Sequence, residues 1–275
     1  MKYLVLLLGL ASLPAFAQEK ENIPSFNSDR PGQSFSSQVL PAGALTLQSG
    51  IIYGFPKSMR SSGFSTRSST VSFLGTEHLF RYGIFKRLEV DLGAAYVSTK
   101  ISRNGVGGDN ALYNKVLLAP ISMLRLQVLE EGKAVPALNL QYQFDLSNVL
   151  RSSTVVGMQG RGTAVDNHLA RVSISKSFDK LGLASNINIP LTDGPVGYTL
   201  NMSVSGANGG FFIEMFGNFE EVSGSGIKDL EGINYNAGVW IELSRVARLD
   251  FGLGKLWGET GNIFGSVGMT FNLIK

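Results

Sequence analysis

Apolar and polar residues alternate with a period of two along most of this chain. In the last segment Ile263, Gly265, Val267, Met269, Phe271 and Leu273 fall on one face, and Phe264, Ser266, Gly268, Thr270 and Asn272 on the other. Successive strand side chains point to opposite faces, so this is a strand with one apolar and one small or polar side. The same reading holds for 233–244, 198–205, 181–190 and 138–145. In 138–145, Leu138, Leu140, Tyr142 and Phe144 oppose Asn139, Gln141, Gln143 and Asp145. Seven further segments fit less cleanly: 44–53, 70–82, 88–99, 115–129, 168–178, 210–220 and 247–257. The register of 115–129 is open because it begins apolar on both faces, and in 70–82 the alternation slips, which predicts a bulge near Gly75.

Twelve segments of about ten residues have the length a tilted strand needs to cross a bilayer. Tight connections such as Phe85-Lys86-Arg87 and Asp179-Lys180 alternate with longer ones such as 54–69, 102–113 and 146–163. Short periplasmic turns, longer outer loops and an even strand number are the marks of a bacterial outer-membrane barrel. The predicted fold is therefore all-β, a transmembrane antiparallel up-and-down barrel of twelve strands over 44–275, with ten or fourteen left open. Aromatic residues near strand ends, among them Tyr53, Phe55, Phe80, Tyr82, Phe178 and Trp257, suit girdles at the two membrane interfaces. The competing architecture is a soluble β-sandwich, which would carry more charge on its outer face.

Composition narrows the classes. Charged residues make up 16% of the chain and 33 of 275 residues are glycine, against roughly 25% charged and ~7% glycine in soluble domains. There is no cysteine, which removes disulfides, thiolate metal sites, a cysteine nucleophile and a lipid-anchoring cysteine. A net charge of +3 gives no reason to expect nucleic acid. No run after the first residues reaches 18 apolar positions, so a helical membrane protein is not expected.

The first residues read as a leader. Lys2 is followed by an apolar run from Tyr3 to Leu13, a break at Pro14, and Ala15-Phe16-Ala17 as an A-x-A site. This predicts a secretory signal peptide over 1–17, cut after Ala17. The segment 18–43 then precedes the barrel, either as a periplasmic plug, with Asp29, Arg30 and Gln33 at the mouth, or as a disordered lead-in.

That segment carries a family resemblance. Asp29-Arg30-Pro31-Gly32-Gln33, the turn Pro41-Ala42-Gly43 and a first strand ending at Gly50 resemble the outer-membrane barrels grouped with the phenol-degradation meta-pathway (the MetA-pathway family). The match covers about 25 residues. Two departures stand out: Gln48 occupies a position that is usually acidic in that family, and the C-terminus continues past Phe271 with Asn-Leu-Ile-Lys. The resemblance implies an outer-membrane barrel that takes up small, often hydrophobic compounds.

If the apolar faces meet lipid, Asp91, Asp145, Arg171, Glu214, Glu242 and Asp250 point into the lumen, and Arg125 joins them subject to its register. Opposite charges across a narrow lumen would pair and obstruct it. The two histidines, His78 and His168, have no adjacent serine motif and no carboxylate cluster, so neither a hydrolase nor a metal site is expected. The expected function is a narrow, monomeric channel or transporter for small solutes, with no cofactor and no metal. Its partners would be outer-membrane lipid, the barrel-assembly machinery and the solute. The alternative is a non-conducting structural or adhesive barrel acting through loops 57–69 and 146–163, with an outer-membrane lipase third.

Overall fold

A computed structural model describes Asp29 and residues 34–60, 68–104, 110–145, 168–191, 195–219, 233–256 and 263–274. The leader, Arg30, Gln33 and the central parts of the long loops lie outside these residues. The described chain forms twelve strands: β1 (Leu45–Arg60), β2 (Ser68–Phe85), β3 (Leu88–Asn104), β4 (Asn110–Leu129), β5 (Ala137–Asp145), β6 (His168–Phe178), β7 (Leu181–Pro190), β8 (Val196–Ser205), β9 (Gly209–Phe219), β10 (Asn234–Ser244), β11 (Ala247–Lys255) and β12 (Ile263–Ile274). Each pairs antiparallel with its sequence neighbour, and β1 pairs with β12 to close a barrel. Closure pairs the edge strands with each other, so no open sheet edge faces hydrocarbon.

Burial runs opposite to that of a water-soluble fold. On β7, Leu183, Ile187 and Ile189 are exposed while Asn186 and Asn188 are buried. On β10, Tyr235, Val239 and Ile241 are exposed while Asn236 and Trp240 are buried. A continuous exposed apolar wall is a liability in water and the required surface in a bilayer.

The sequence expectation of twelve strands holds, with two corrections. Strands β1 to β4 extend beyond the expected bounds, so much of 54–69 and 102–113 is hairpin arm. The bulge is not at Gly75, where the ladder to both neighbours is regular; it lies across the ladder on β1, between Gly54 and Lys57. The alternation on β2 blurs because Phe73 and Leu79 lie on its inner side and Thr76 and His78 on its outer side. The Phe73 ring occupies the space a side chain at Gly54 would need.

A second irregularity, opposite Gly93 and Ala95 of β3, fixes the register of β4. Ala119 and Pro120 fall in that bulge; proline has no N–H to give the ladder, which is why it is tolerated there. Downstream of it Arg125 faces the lumen.

The tight turns follow local chemistry. Asp179 takes φ of 54° in the two-residue turn between β6 and β7, a conformation such hairpins need and aspartate tolerates. At the barrel entrance Gly43 has φ of 80°, and its N–H donates to the Gly83 carbonyl at 2.7 Å. The Pro41 carbonyl lies so close to Gly83 that no larger residue fits there. The lead-in thus passes directly over β2 as it enters β1.

Candidate functional site

The inner wall divides into two unlike halves. On β2 to β4 the alternation points Arg81, Glu89, Asp91 and Arg125 inward, and none of the four is exposed. Arg81 faces Asp91, and Glu89 faces Arg125, across the ladders. Arg125 Nε lies 3.4 Å from Glu89 directly across the ladder, and the shorter ion pairs run diagonally. Arg81 donates to Glu89 through Nε at 2.6 Å and Nη2 at 3.1 Å, and Arg125 Nε donates to Asp91 at 2.6 Å.

Asp29, from the lead-in, completes the cluster. Its carboxylate accepts from Arg125 through both terminal nitrogens, at 3.0 Å from Nη1 and more closely from Nη2. Arg81 Nη1 lies 3.7 Å from it. Burial alone would raise the pKa of Asp29, but Arg125 and Arg81 hold it well below the ordinary carboxylate range. Gln48 is buried alongside. With its amide turned so that oxygen faces Arg81, it accepts from Arg81 at 3.3 Å and from the Asp29 N–H at 3.2 Å. A neutral amide there avoids adding a fourth carboxylate to a group that already has three against two guanidinium ions.

From Ser34 to Leu40 the lead-in is bonded to the wall strand by strand. Ser34 donates its N–H to Glu214 on β9 at 2.6 Å, and its hydroxyl to the same carboxylate. Asn186 on β7 engages both backbone groups of Phe35, accepting from its N–H at 2.9 Å and donating to its carbonyl at 3.0 Å. Ser37 pairs with Ser175 on β6. Gln127 on β4 accepts from the Val39 N–H at 2.9 Å and donates to the Ser37 carbonyl at 3.1 Å. Leu40 donates its N–H to Glu89 at 2.5 Å. Side chains on the wall thus play the part that a neighbouring strand would play for these backbone groups. The Phe35 ring lies under the Arg171 guanidinium, 3.5 Å from ring centroid to Cζ. Arg171 is fixed in turn by Asn188 at 2.5 Å and Gln141 at 3.0 Å.

The other half, β9 to β12, is plated with aromatic rings. Phe212, Phe216, Trp240 and Phe264 are buried on the inner side. The Trp240 ring fills the space over Gly210, that of Phe212 the space over Gly238, and that of Phe264 the space over Gly254. Glycine lets these rings lie flat on the wall. Arg248 stacks on Trp240 at 4.7 Å. Asn236 Oδ1 and Arg248 Nε are buried there with no hydrogen-bond partner among the described residues.

The residues expected in the lumen are distributed as follows. Asp91, Arg125, Arg171, Glu214 and Asp250 are buried on the inner side. Glu242 is exposed, at the turn end of β10 opposite Arg248. Asp145 ends β5, with its side chain outside the described atoms. Asp29 is buried against Arg81 and Arg125, near the turn-bearing end of the barrel. Sequence reasoning missed Arg81, Glu89, Gln127, Gln141 and Asn186.

The histidines sit on the outer wall. Tyr142 and the ring of His168 are bonded at 2.5 Å and stacked. His78 Nδ1 is 2.9 Å from Ser49 Oγ, but no third group orients that imidazole among the described residues, as a serine hydrolase requires. No cluster of metal-ligating side chains is present among the described residues.

No protein-family profile matches the chain, and no curated protein matches it. Solved structures do. The COG4313 outer membrane channel from Pseudomonas putida F1 superposes with a TM-score of 0.54 at 14% identity, over 86% of this chain and 97% of that one. A monoaromatic hydrocarbon channel, CymD, gives 0.42 at 12% identity over 85% and 89%. A porin variant from Rh. blastica gives 0.36 at 11% over 83% and 99%. At this identity the first likeness shows the fold alone, and the other two carry no argument.

Proposed function

We infer that this protein is an outer-membrane channel for small solutes whose lumen is narrowed by its own N-terminal segment. One observation carries the reading: Asp29 and Ser34–Leu40 run inside the barrel and are held by ion pairs and hydrogen bonds to β2–β9. A structural barrel would have no need of a polar inner wall tailored to one backbone segment. The face left to a solute is the aromatic wall of β9–β12, which suits a small apolar, ring-bearing molecule. Arg248, at the turn end, or Asn236, farther along the wall opposite Gly254, would meet a polar substituent on it. The tight turns and the N-terminal segment belong on the periplasmic side, after removal of a leader ending at Ala17.

The test is flux into liposomes carrying the full mature chain, with potassium ions and a small monoaromatic alcohol as probes. Entry above that of empty liposomes, rising when Asp29 is replaced by Ala, is the expected result. A folded barrel passing neither probe in either form would overturn the channel reading.

A further inference from the structure

Away from the strand ends, the described outer wall carries a pair of side chains that does not belong in hydrocarbon. Six residues of β1 point outward: Leu45, Leu47, Ser49, Ile51, Tyr53 and Phe55. Ten residues of tilted strand between the first and last span about 26 Å, close to the height of a barrel's apolar band. Ser49 therefore lies near the middle of the bilayer. On β2 the outward series is Leu74, Thr76, His78, Phe80, Tyr82 and Ile84, and His78 is paired in register with Ser49. His78 is exposed, and Ser49 is partly so.

The Ser49–His78 bond, 2.9 Å long, satisfies one donor and one acceptor. Neither residue has another hydrogen-bond partner among the described residues. If the hydroxyl donates to Nδ1, then the Nε2 proton and the lone pairs of Ser49 Oγ remain. In the other tautomer Nε2 is left as acceptor and the serine hydroxyl as donor. Both cases leave one donor and one acceptor side by side at a depth where lipid offers neither, and such groups are costly to leave unmade.

This leftover set is self-complementary. About a two-fold axis normal to the membrane, depth is preserved and left and right exchange, so β1 of one copy faces β2 of the other. His78 then meets Ser49 of the second copy twice, closing a ring of four hydrogen bonds. Ala94 of β3 lies next to His78 in the ladder, and its short side chain permits close approach. Leu47, Ile51, Phe80 and Leu92 surround the pair with apolar surface.

We propose that the outer face of β1 and β2 is a homodimer interface centred on Ser49 and His78. It replaces the monomer expected from sequence, and it is independent of how the lumen works.

The absence of cysteine permits a clean test. The full chain would be reconstituted in liposomes as Ile51→Cys, next to the Ser49–His78 pair on β1, and, on the far wall, as Ile187→Cys. Oxidation should cross-link the first at least tenfold more than the second. Donor and acceptor dyes on exposed turn residues should report association of the wild type in the same liposomes. The double variant Ser49→Ala/His78→Leu should lower that association at least tenfold, while heat-modifiable gel migration confirms a folded barrel. Equal cross-linking at the two sites overturns the proposal, as does association unchanged in the double variant. A wild type that stays monomeric while phenol, used as a hydroxyl-bearing probe, binds through His78 also overturns it and assigns the pair to a membrane-dissolved ligand.

Discussion

Replacing Asp29 by Ala removes the carboxylate that the lead-in adds to the charged cluster of Arg81, Glu89, Asp91 and Arg125. In the wild type that carboxylate meets both terminal nitrogens of Arg125 and lies beside Arg81, and all three side chains are buried. Arg125 keeps Asp91 and Glu89 as partners and Arg81 keeps Glu89, so what is lost is the charge-assisted bonding to Asp29, about 1.5–3 kcal/mol. The penalty falls on the docked state of the segment. An undocked segment exposes the guanidinium ions to lumen water and escapes much of it. At ~1.4 kcal/mol per factor of ten, the undocked fraction should rise by about one to two orders of magnitude. The barrel ladder is untouched, so heat-modifiable migration should persist. Single-channel recording of the variant in planar bilayers should show larger conductance or frequent opening steps. Conductance and noise equal to the wild type in a folded Asp29→Ala barrel would refute the reasoning.

Other consequences concern the same geometry. The docked pKa of Asp29 is depressed, so its contribution is full above the ordinary aspartate value of about 3.9 and is lost as pH falls through the lowered one; wild-type conductance should be flat from neutral pH to about 5, and acid should open the channel only below ~3.9. Gln48→Glu adds a fourth carboxylate beside the cluster and should shift conductance in the same direction as Asp29→Ala, by a smaller step. Gly254→Ala places a methyl group where the Phe264 ring lies; the overpacking should cost about 1–3 kcal/mol, lower the denaturation midpoint, and slow aromatic-probe flux more than ion flux as the ring is pushed into the lumen.

The wall was legible in the sequence because a period of two is set by strand geometry alone, and each clean segment, such as 181–190 or 263–273, needs no partner to be recognised. The inward positions of Asp91, Arg171 and Glu214 followed from the same parity. Arg125 stayed open because Pro120 sits in a bulge that shifts the phase of β4. Arg81 was hidden by Phe73 and Leu79, apolar residues on the same inner face, where the Phe73 ring lies over Gly54. The role of Asn186 in pairing with the Phe35 backbone could not be read, since it depends on a segment without periodicity crossing the barrel. The Ser49–His78 pair depends on the register between β1 and β2. A pattern along one strand fixes which face a residue takes, and the turn and ladder fix which residue stands opposite.

The central claim, that the lead-in controls passage by sitting inside the barrel, is tested most directly with a reversible tether. Ser37 and Ser175 touch through their hydroxyls, and the chain has no cysteine to interfere. In the Asp29→Ala background, Ser37→Cys/Ser175→Cys should hold the segment in place when oxidised and release it when reduced. Conductance should be low with the disulfide formed and rise to the Asp29→Ala level on adding reductant to the same bilayer. Equal conductance in the two states, with the disulfide confirmed by mass, would contradict the account.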